Sequence, residues 1–482
     1  MKRITLFFIY LIVAKLIFSQ NEIDALRYTY LLPIGTARYL GLAGAYNSTG
    51  ADLSMISINP AGLAQYKKSE FSFTPAFNFT FTQSSYLKKE GKDNLFSLKL
   101  PNIGLVFVKN ESEDAKWTRW QMAFAFNTLA NFNHSIFIHG NNATSSIVDV
   151  FYALANGTPY TKLNPFDTKL AFDTYLIDTL GGSSSYTKAV EGGLLQERSI
   201  FTRGYLNEFA VAMSGSYKGK IYLGASLGVP YICYNEENYY SEVDDADTLA
   251  HFKSLKVNNF LTTKGTGINL KLGLIYIINN YMRWGLSMQT PTAFYLKDNF
   301  HTIVQSNLET TSYESSSPTG INTYTLTTPF RMESGLTLLY PEIGLLSFAC
   351  ELVNYNQARL RDAGNPFSEA NEAIATYYRQ TFNYKGGVEI LLAPFALRAG
   401  YAYFSSPYNN NLNDGSTQVF SGGFRYQEAN YYVDVTYSYQ KQKENFYMYD
   451  PQVLEKIGKS IEPTSLKHNQ HYFLFTLGIK LD

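Results

Sequence analysis

Only two cysteines, Cys233 and Cys350, stand in 482 residues, too few for the disulfide framework of a small secreted domain. Charge is scarce as well. Charged residues make up 17% of the chain against a usual ~25%, and 40 basic residues balance 40 acidic ones. With no net charge the chain offers nucleic acid no electrostatic handle, so no nucleic-acid partner is expected. Beyond the first twenty residues no run of eighteen apolar residues occurs, which excludes a membrane-spanning helix. A catalytic constellation is lacking too. His134, His139, His468 and His471 have no matching Ser or Cys motif, and the glycines of Gly265 to Gly273 lie inside an alternating run rather than at a strand-to-helix junction. The acidic residues Glu242, Asp244, Asp245 and Asp247 lack the spacing of a calcium loop. No catalytic residue, metal or cofactor is expected, and the chain does not read as an enzyme.

What the chain has in quantity is aromatic residues: 39 Tyr and 34 Phe, which suit strands better than helices. From Phe71 onward the sequence repeats long runs of period-two alternation. In Tyr431 to Gln440 the odd positions carry Tyr431, Val433, Val435, Tyr437 and Tyr439, while Asp434, Thr436, Ser438 and Gln440 share the other face. The charges Lys99, Glu208, Lys271, Arg283, Arg331, Glu333, Glu351, Lys385, Glu389, Arg398, Arg425, Asp434 and Lys480 all fall on the phase opposite the large apolar residues. A soluble sandwich also alternates, but with short strands of ~5–6 residues. Runs long enough to cross a bilayer, ~9–11 residues, with a polar face rich in Gly, Ser and Thr, favour a transmembrane β-barrel with its apolar face toward lipid.

About fourteen strands fit, near 69–82, 94–108, 117–138, 203–217, 219–240, 265–279, 282–304, 323–340, 342–356, 378–391, 394–406, 416–428, 430–448 and 470–481. Short turns such as Lys218-Gly219-Lys220, Asn279-Asn280 and Ala393-Pro394 alternate with long loops at 139–202, 241–264, 305–322, 357–377, 407–415 and 449–469. That sorting suits a bacterial outer-membrane barrel, with short turns inside and long loops outside. In the longest loop, 139–202, apolar residues recur at helical spacing. Phe151, Leu154, Phe172, Leu176 and Leu180 either pack this loop on the rim or form an external groove for a hydrophobic ligand.

Residues 1–19 carry the basic, apolar and small-residue segments of a secretory signal peptide, with the exported chain beginning near Gln20. The segment 20–68 that follows is rich in Gly and Ala and shows no period. Its block Gly35-Thr36-Ala37-Arg38, Gly41-Leu42-Ala43-Gly44-Ala45, Asp52 and Asn59-Pro60-Ala61-Gly62-Leu63-Ala64 resembles the FadL/TodX family of outer-membrane transporters for hydrophobic compounds. Thr328-Pro329-Phe330, Leu397-Arg398-Ala399-Gly400-Tyr401 and Ser406-Pro407-Tyr408 resemble barrel segments of that family.

The resemblance implies a fourteen-stranded barrel spanning 69–482 in a Gram-negative outer membrane, with 20–68 folded inward as a hatch. Gly41, Gly44, Asn59, Pro60 and Ala61 would belong to that hatch. It implies passive uptake of compounds such as long-chain fatty acids or aromatic hydrocarbons, received at outer loops and released past the hatch or sideways into the membrane at an interrupted strand. In the third strand Asn127, Asn131 and Asn133 break the apolar alternation and mark either a place for that interruption or the strand's emergence from the bilayer. Implied partners are the hydrophobic ligand, outer-membrane lipid and the barrel assembly machinery, with the protein acting as a monomer. A general porin, or a related barrel binding protein cargo in a secretion system, is the alternative. Inward charges such as Arg331, Glu333, Glu389 and Arg398 should pair with one another or with the hatch, Arg331 or Arg398 otherwise meeting a carboxylate head group.

Overall fold

The computed structural model describes residues 22–112, 115–181, 184–362, 364, 366–409 and 413–481; the expected signal peptide lies outside these. Fourteen antiparallel strands close on themselves. In chain order they are β1 (Ser69–Tyr86), β2 (Lys89–Asn110), β3 (Trp117–Asn131 and His134–Asn142), β4 (Leu194–Tyr217), β5 (Ile221–Val243), β6 (Phe252–Asn279) and β7 (Met282–Gln289 and Ala293–Leu308). They continue with β8 (Gly320–Thr327 and Arg331–Tyr340), β9 (Gly344–Asn354 and Arg359–Arg361), β10 (Gln380–Leu392), β11 (Phe395–Phe404), β12 (Thr417–Gln427), β13 (Tyr431–Phe446) and β14 (Thr464–Leu481). Each strand pairs with its sequence neighbour, and β14 returns to β1 with Leu481 opposite Ser69, so no edge is left at the seam.

The alternation explains the wall. Phe77, Phe79, Phe96, Leu98, Phe420, Phe424, Phe473 and Phe475 are exposed on the outside, where they form an apolar belt. Glu208, Lys271, Glu333, Lys385, Glu389, Arg398 and Asp434 are buried on the inside. A closed barrel with an apolar outer belt and inward charge is a transmembrane barrel. Cys233 and Cys350 are free and lie on the outward phase.

Two features differ from the sequence expectation. Strands run past the belt on the long-loop side, so the loop expected at 241–264 shrinks to the eight residues between β5 and β6. Outside the bilayer ladder pairing still satisfies the backbone, and nothing requires a strand to stop at the membrane surface. Runs expected as single strands are also broken, at 290–292 in β7 and 328–330 in β8. Each break holds a proline, Pro291 or Pro329, which has no N–H to give a ladder. The two breaks face each other and are tied instead by Thr292 N to Thr328 Oγ1, 2.8 Å, and Thr328 N to Thr292 O, 2.9 Å.

In the long loop a helix, α1 (Ile147–Ala155), begins with a capping box between Ser146 and Asp149. A short helix, α2 (Thr168–Asp173), and a hairpin of Ile177–Thr179 with Tyr186–Lys188 follow. Buried Asp149 accepts from Lys188 at 2.5 Å and Lys459 at 2.7 Å, fastening this loop to the one between β13 and β14.

Candidate functional site

Residues 22–66 are almost wholly buried, and their contacts run around the inner wall. Ala37 N donates to Thr476 Oγ1 at 2.8 Å and Ala37 O accepts from Thr436 Oγ1 at 2.7 Å. Asn47 Nδ2 donates to Ser287 Oγ at 2.8 Å, Ser48 Oγ meets Thr337 Oγ1 at 2.7 Å, and Ser57 Oγ donates to Glu208 Oε2 at 2.6 Å. These partners belong to β14, β13, β7, β8 and β4, so the segment touches the wall on several sides of the lumen.

Three pairs of wall glycines explain how an irregular backbone comes so close. Gly224 and Gly273 are register partners on β5 and β6, and a β-carbon on either would collide with Asn59-Pro60-Ala61. Gly285 and Gly335, partners on β7 and β8, would place theirs 2.6 and 2.8 Å from Asn47. Gly387 and Gly400, partners on β10 and β11, face Leu42 in the same way. Each pair removes two inward side chains at one level and leaves a notch for backbone. Within the segment, Asn59 Oδ1 caps the short turn 60–65 and its Nδ2 donates to Asn47 O at 2.8 Å, joining two notches. Gly44 has φ +80°, a left-handed conformation that glycine adopts without strain, whereas Gly41 packs beside Thr436 and Arg398.

The inward charges of β8 to β13 close into networks. Arg331 Nη1 donates to Glu351 Oε1 at 2.9 Å, and its Nη2 reaches the Thr29 carbonyl. Lys385 Nζ donates to Glu333 Oε2 at 2.5 Å. Arg38 of the N-terminal segment grips Glu389 with two bonds, at 3.1 and 2.8 Å, and Arg398 donates to the same carboxylate. Arg398 Nη1 also donates to Asp434 Oδ1 at 2.5 Å, while Arg425 holds that carboxylate from the other side at 2.6 Å. Thus the sequence candidates Arg331, Glu333, Glu389 and Arg398 are all in ion pairs. Glu351, Lys385, Arg425 and Asp434, signalled in the sequence only by their inward phase, and Arg38, from a segment with no phase, complete the set.

A cavity of about 100 Å³ lies over this assembly. Arg331, Glu333, Glu351 and Lys385 form one wall, and Leu31, Pro33, Ile58, Leu129, Met332 and Phe404 give it an apolar lining. It reaches Asn127 and Leu129 of β3, a few residues before that strand breaks at Phe132-Asn133.

At the break the wall loses a ladder. β2 and β3 pair from Asn110↔Arg119 to Asn102↔Asn127, and there the ladder ends. Beyond it, residues 89–99 of β2 keep β1 on one side and have no ladder partner on the other among the described residues. The second half of β3 pairs with β4 alone. It leans inward across β1 and β2: Ser84 Oγ donates to Phe137 O at 2.6 Å, and Ser135 Oγ to Asp93 Oδ2 at 2.5 Å. The asparagines serve the break: Asn133 Oδ1 accepts from Gly204 N at 2.8 Å, and Asn131 Oδ1 accepts from Asn133 N at 3.2 Å. Asn127 sits in a hydrogen-bonded line of Lys271, Glu208, Ser57, Asn127 and Asn102 that links this strand to the N-terminal segment.

Four of the five groove candidates of the long loop share one cluster. Phe151 and Leu176 are buried in a cluster with Ile138, Tyr240, Leu255 and Leu466 at the rim; Leu154 and Phe172 pack against it, and Leu180 is 61% exposed. The first four pack the loop onto the barrel. A second cavity, about 310 Å³, lies beside them, lined by Phe166, Phe260, Leu261 and Phe300. The acidic run is divided. Glu242 is buried against Ser146 and Tyr240, Asp247 pairs with Lys253, and the N–H groups of Leu249 and Thr248 hold the Asp244 carboxyl below its usual range.

No family model matches the sequence, and no curated protein matches it significantly. Solved structures do match the fold. A FadL homologue of Pseudomonas aeruginosa is similar over 94% of this chain and 100% of its own, with a TM-score of 0.58 at 11% identity. The toluene transporter TodX of P. putida gives 0.55 at 10% identity, covering 93% of this chain and 99% of its own. The monoaromatic hydrocarbon channel CymD gives 0.52 at 14%, over 94% and 99%. This chain therefore has the FadL/TodX barrel fold.

Proposed function

We propose that this protein is an outer-membrane channel of a Gram-negative bacterium for passive uptake of hydrophobic or amphipathic small molecules. The observation that carries the reading is the break in β3, where the wall loses a ladder beside a partly apolar lumen cavity. A polar solute gains nothing from a gap that faces lipid, whereas an apolar one leaves water there without crossing the polar surface. Solved barrels of the same fold include a toluene transporter and a monoaromatic hydrocarbon channel, in keeping with this chemistry. The outer groove at Phe166, Phe260 and Phe300 receives the compound, the lumen cavity passes it on, and the β3 gap releases it into the bilayer. Residues 22–66 act as the hatch that keeps the lumen shut to ions.

The test deletes Phe132 and Asn133, a change of two residues that keeps the inward and outward phase of β3. Uptake of laurate and p-xylene by cells lacking their own such channels should fall to the level of cells without the protein. Unchanged uptake by a folded deletion variant would reject lateral release.

A further inference from the structure

Behind the β3 break stands a set of donors that the described residues do not use. Lys99 is the first inward-facing residue of β2 beyond the last β2–β3 pair, opposite Ala76. It is half-buried, and no described residue forms an ion pair or hydrogen bond with it. One inward step further along β2 stands Ser97, whose Oγ is buried without a partner. Asn78 of β1 pairs in register with Ser97 and is fully buried. Its Oδ1 accepts from Thr80 Oγ1 at 3.0 Å and from Asn131 Nδ2 at 3.5 Å, yet its Nδ2 donates to nothing. The same row continues through Tyr472 to Ser438, another buried hydroxyl without a partner, and Gln440 Nε2 one level above is unused as well.

Everything left over here is able to donate, and one group is a cation. Directly below, Ala37 and Leu40 of the N-terminal segment pack on Ala76 and Leu474, closing the floor. An unpaired ammonium at membrane depth is costly, and buried donors without acceptors are costly too, so a site of this kind is kept for an acceptor that comes and goes. Arg331 and Arg398, the cations first considered for a head group, have no such vacancy, because both guanidinium groups already hold carboxylates.

We propose that Lys99, Ser97 and Asn78 bind the carboxylate of a fatty-acid-like amphiphile at the β3 gap, its alkyl chain leaving through the gap toward lipid. Adjacent strands lie ~4.8 Å apart and inward neighbours on one strand ~6.8 Å, so the three side chains can converge on one carboxylate but Ser438 cannot join them. The further row gives the head group a second polar foothold along the wall. The inference rests on the channel reading: it names which ligands of that channel are held, and by what.

The test uses the full barrel in phosphatidylcholine nanodiscs and measures Kd for laurate, 1-dodecanol, dodecyl phosphate and p-xylene. Wild type should bind laurate more tightly than dodecanol. Lys99→Met should cut the laurate-to-dodecanol affinity ratio about ten-fold or more, as removal of a charged hydrogen-bond partner does, and Lys99→Arg should restore most of it. Ser97→Ala, which removes one donor and little packing, should lower the ratio about three-fold and covers the case in which the Lys99 variant does not fold. An unchanged ratio in folded Lys99→Met overturns the site, as does wild type that favours dodecanol. Tighter binding of dodecyl phosphate than laurate overturns the carboxylate assignment in favour of a lipid phosphate. In those cases binding of p-xylene keeps the channel reading alive; wild type that binds none of the four would sink both.

Discussion

Two sides of one lumen treat charge in opposite ways. From β8 to β13 the inward ions meet counter-ions, and Arg38 of the N-terminal segment is drawn into the same network through Glu389. On β1 and β2, behind the β3 break, Lys99 has no counter-ion among the described residues, and Asn78 and Ser97 keep unused donors. The first side also leaves single atoms over, among them Arg398 Nη2 and Glu333 Oε1 on groups whose charge is already matched, and Ser438 Oγ and Gln440 Nε2 of β13 on neutral ones. A paired side holds the N-terminal segment in place, and an unpaired side waits for something that is not part of the chain. The difference separates lumen charge that builds the barrel from lumen charge that serves traffic.

The largest effect should come from cutting the paired side. Arg398→Ala leaves Glu389 and Asp434 facing each other with one cation fewer, a loss of about 3–5 kcal/mol for breaking a buried network. Its thermal unfolding midpoint in detergent should fall well below that of wild type. A fall no greater than that of a surface control such as Lys441→Ala would erase the contrast between the two sides.

Next comes the glycine seat. Gly273→Val forces a side chain into Asn59-Pro60-Ala61, at a cost of about 1–3 kcal/mol or more if the backbone cannot yield. The segment should shift away from β5 and β6, and planar-bilayer recordings should show a steady conductance that wild type lacks. A wild-type barrel that conducts strongly on its own would instead favour a general porin and deny the segment its role as a hatch. Ser57→Ala is smaller. It removes the hydroxyl between Glu208 and Asn127, worth about 1 kcal/mol, and should alter uptake more than stability because it uncouples the segment from β3. Equal and slight changes in both would make Ser57 an ordinary packing residue.

The same contrast shows how much could be read from the residues alone. Barrel, strand count and the inward phase of each charge follow from period-two alternation, since the pleat assigns every side chain a face. The strand break at 132–133 falls beside Asn131 and Asn133, two of the three amides that marked the place in the sequence, whereas Asn127 keeps the inward phase of Gln121 and Ala125 and binds Ser57. What stayed hidden depends on register. Gly224 and Gly273 lie 49 positions apart, and only the ladder shows that they share a level and make one notch. Lys99 and Lys385 look alike as inward lysines, yet one ends up beside Glu333 and the other beside Ala76. The loop residues Phe151 and Leu176 had the spacing of a helical face, and spacing does not say whether that face meets a ligand or the rim. Here the rim strands cover them.

The smallest effect is the one that bears most directly on the comparison, because its sign differs. If Lys99 were structural, Lys99→Met would destabilise the barrel as Arg398→Ala does. A half-buried ammonium without a counter-ion contributes no pairing to lose, and its replacement by an apolar side chain of similar length relieves desolvation. The ligand-free variant should therefore unfold at the same temperature as wild type or slightly above it, a gain of about 0–1 kcal/mol. Laurate should then raise the midpoint of wild type but not of the variant, since a ligand stabilises only the state that binds it. A fall of the ligand-free midpoint comparable to that of Arg398→Ala would show that the two sides of the lumen are built alike and that Lys99 has a partner in the folded protein.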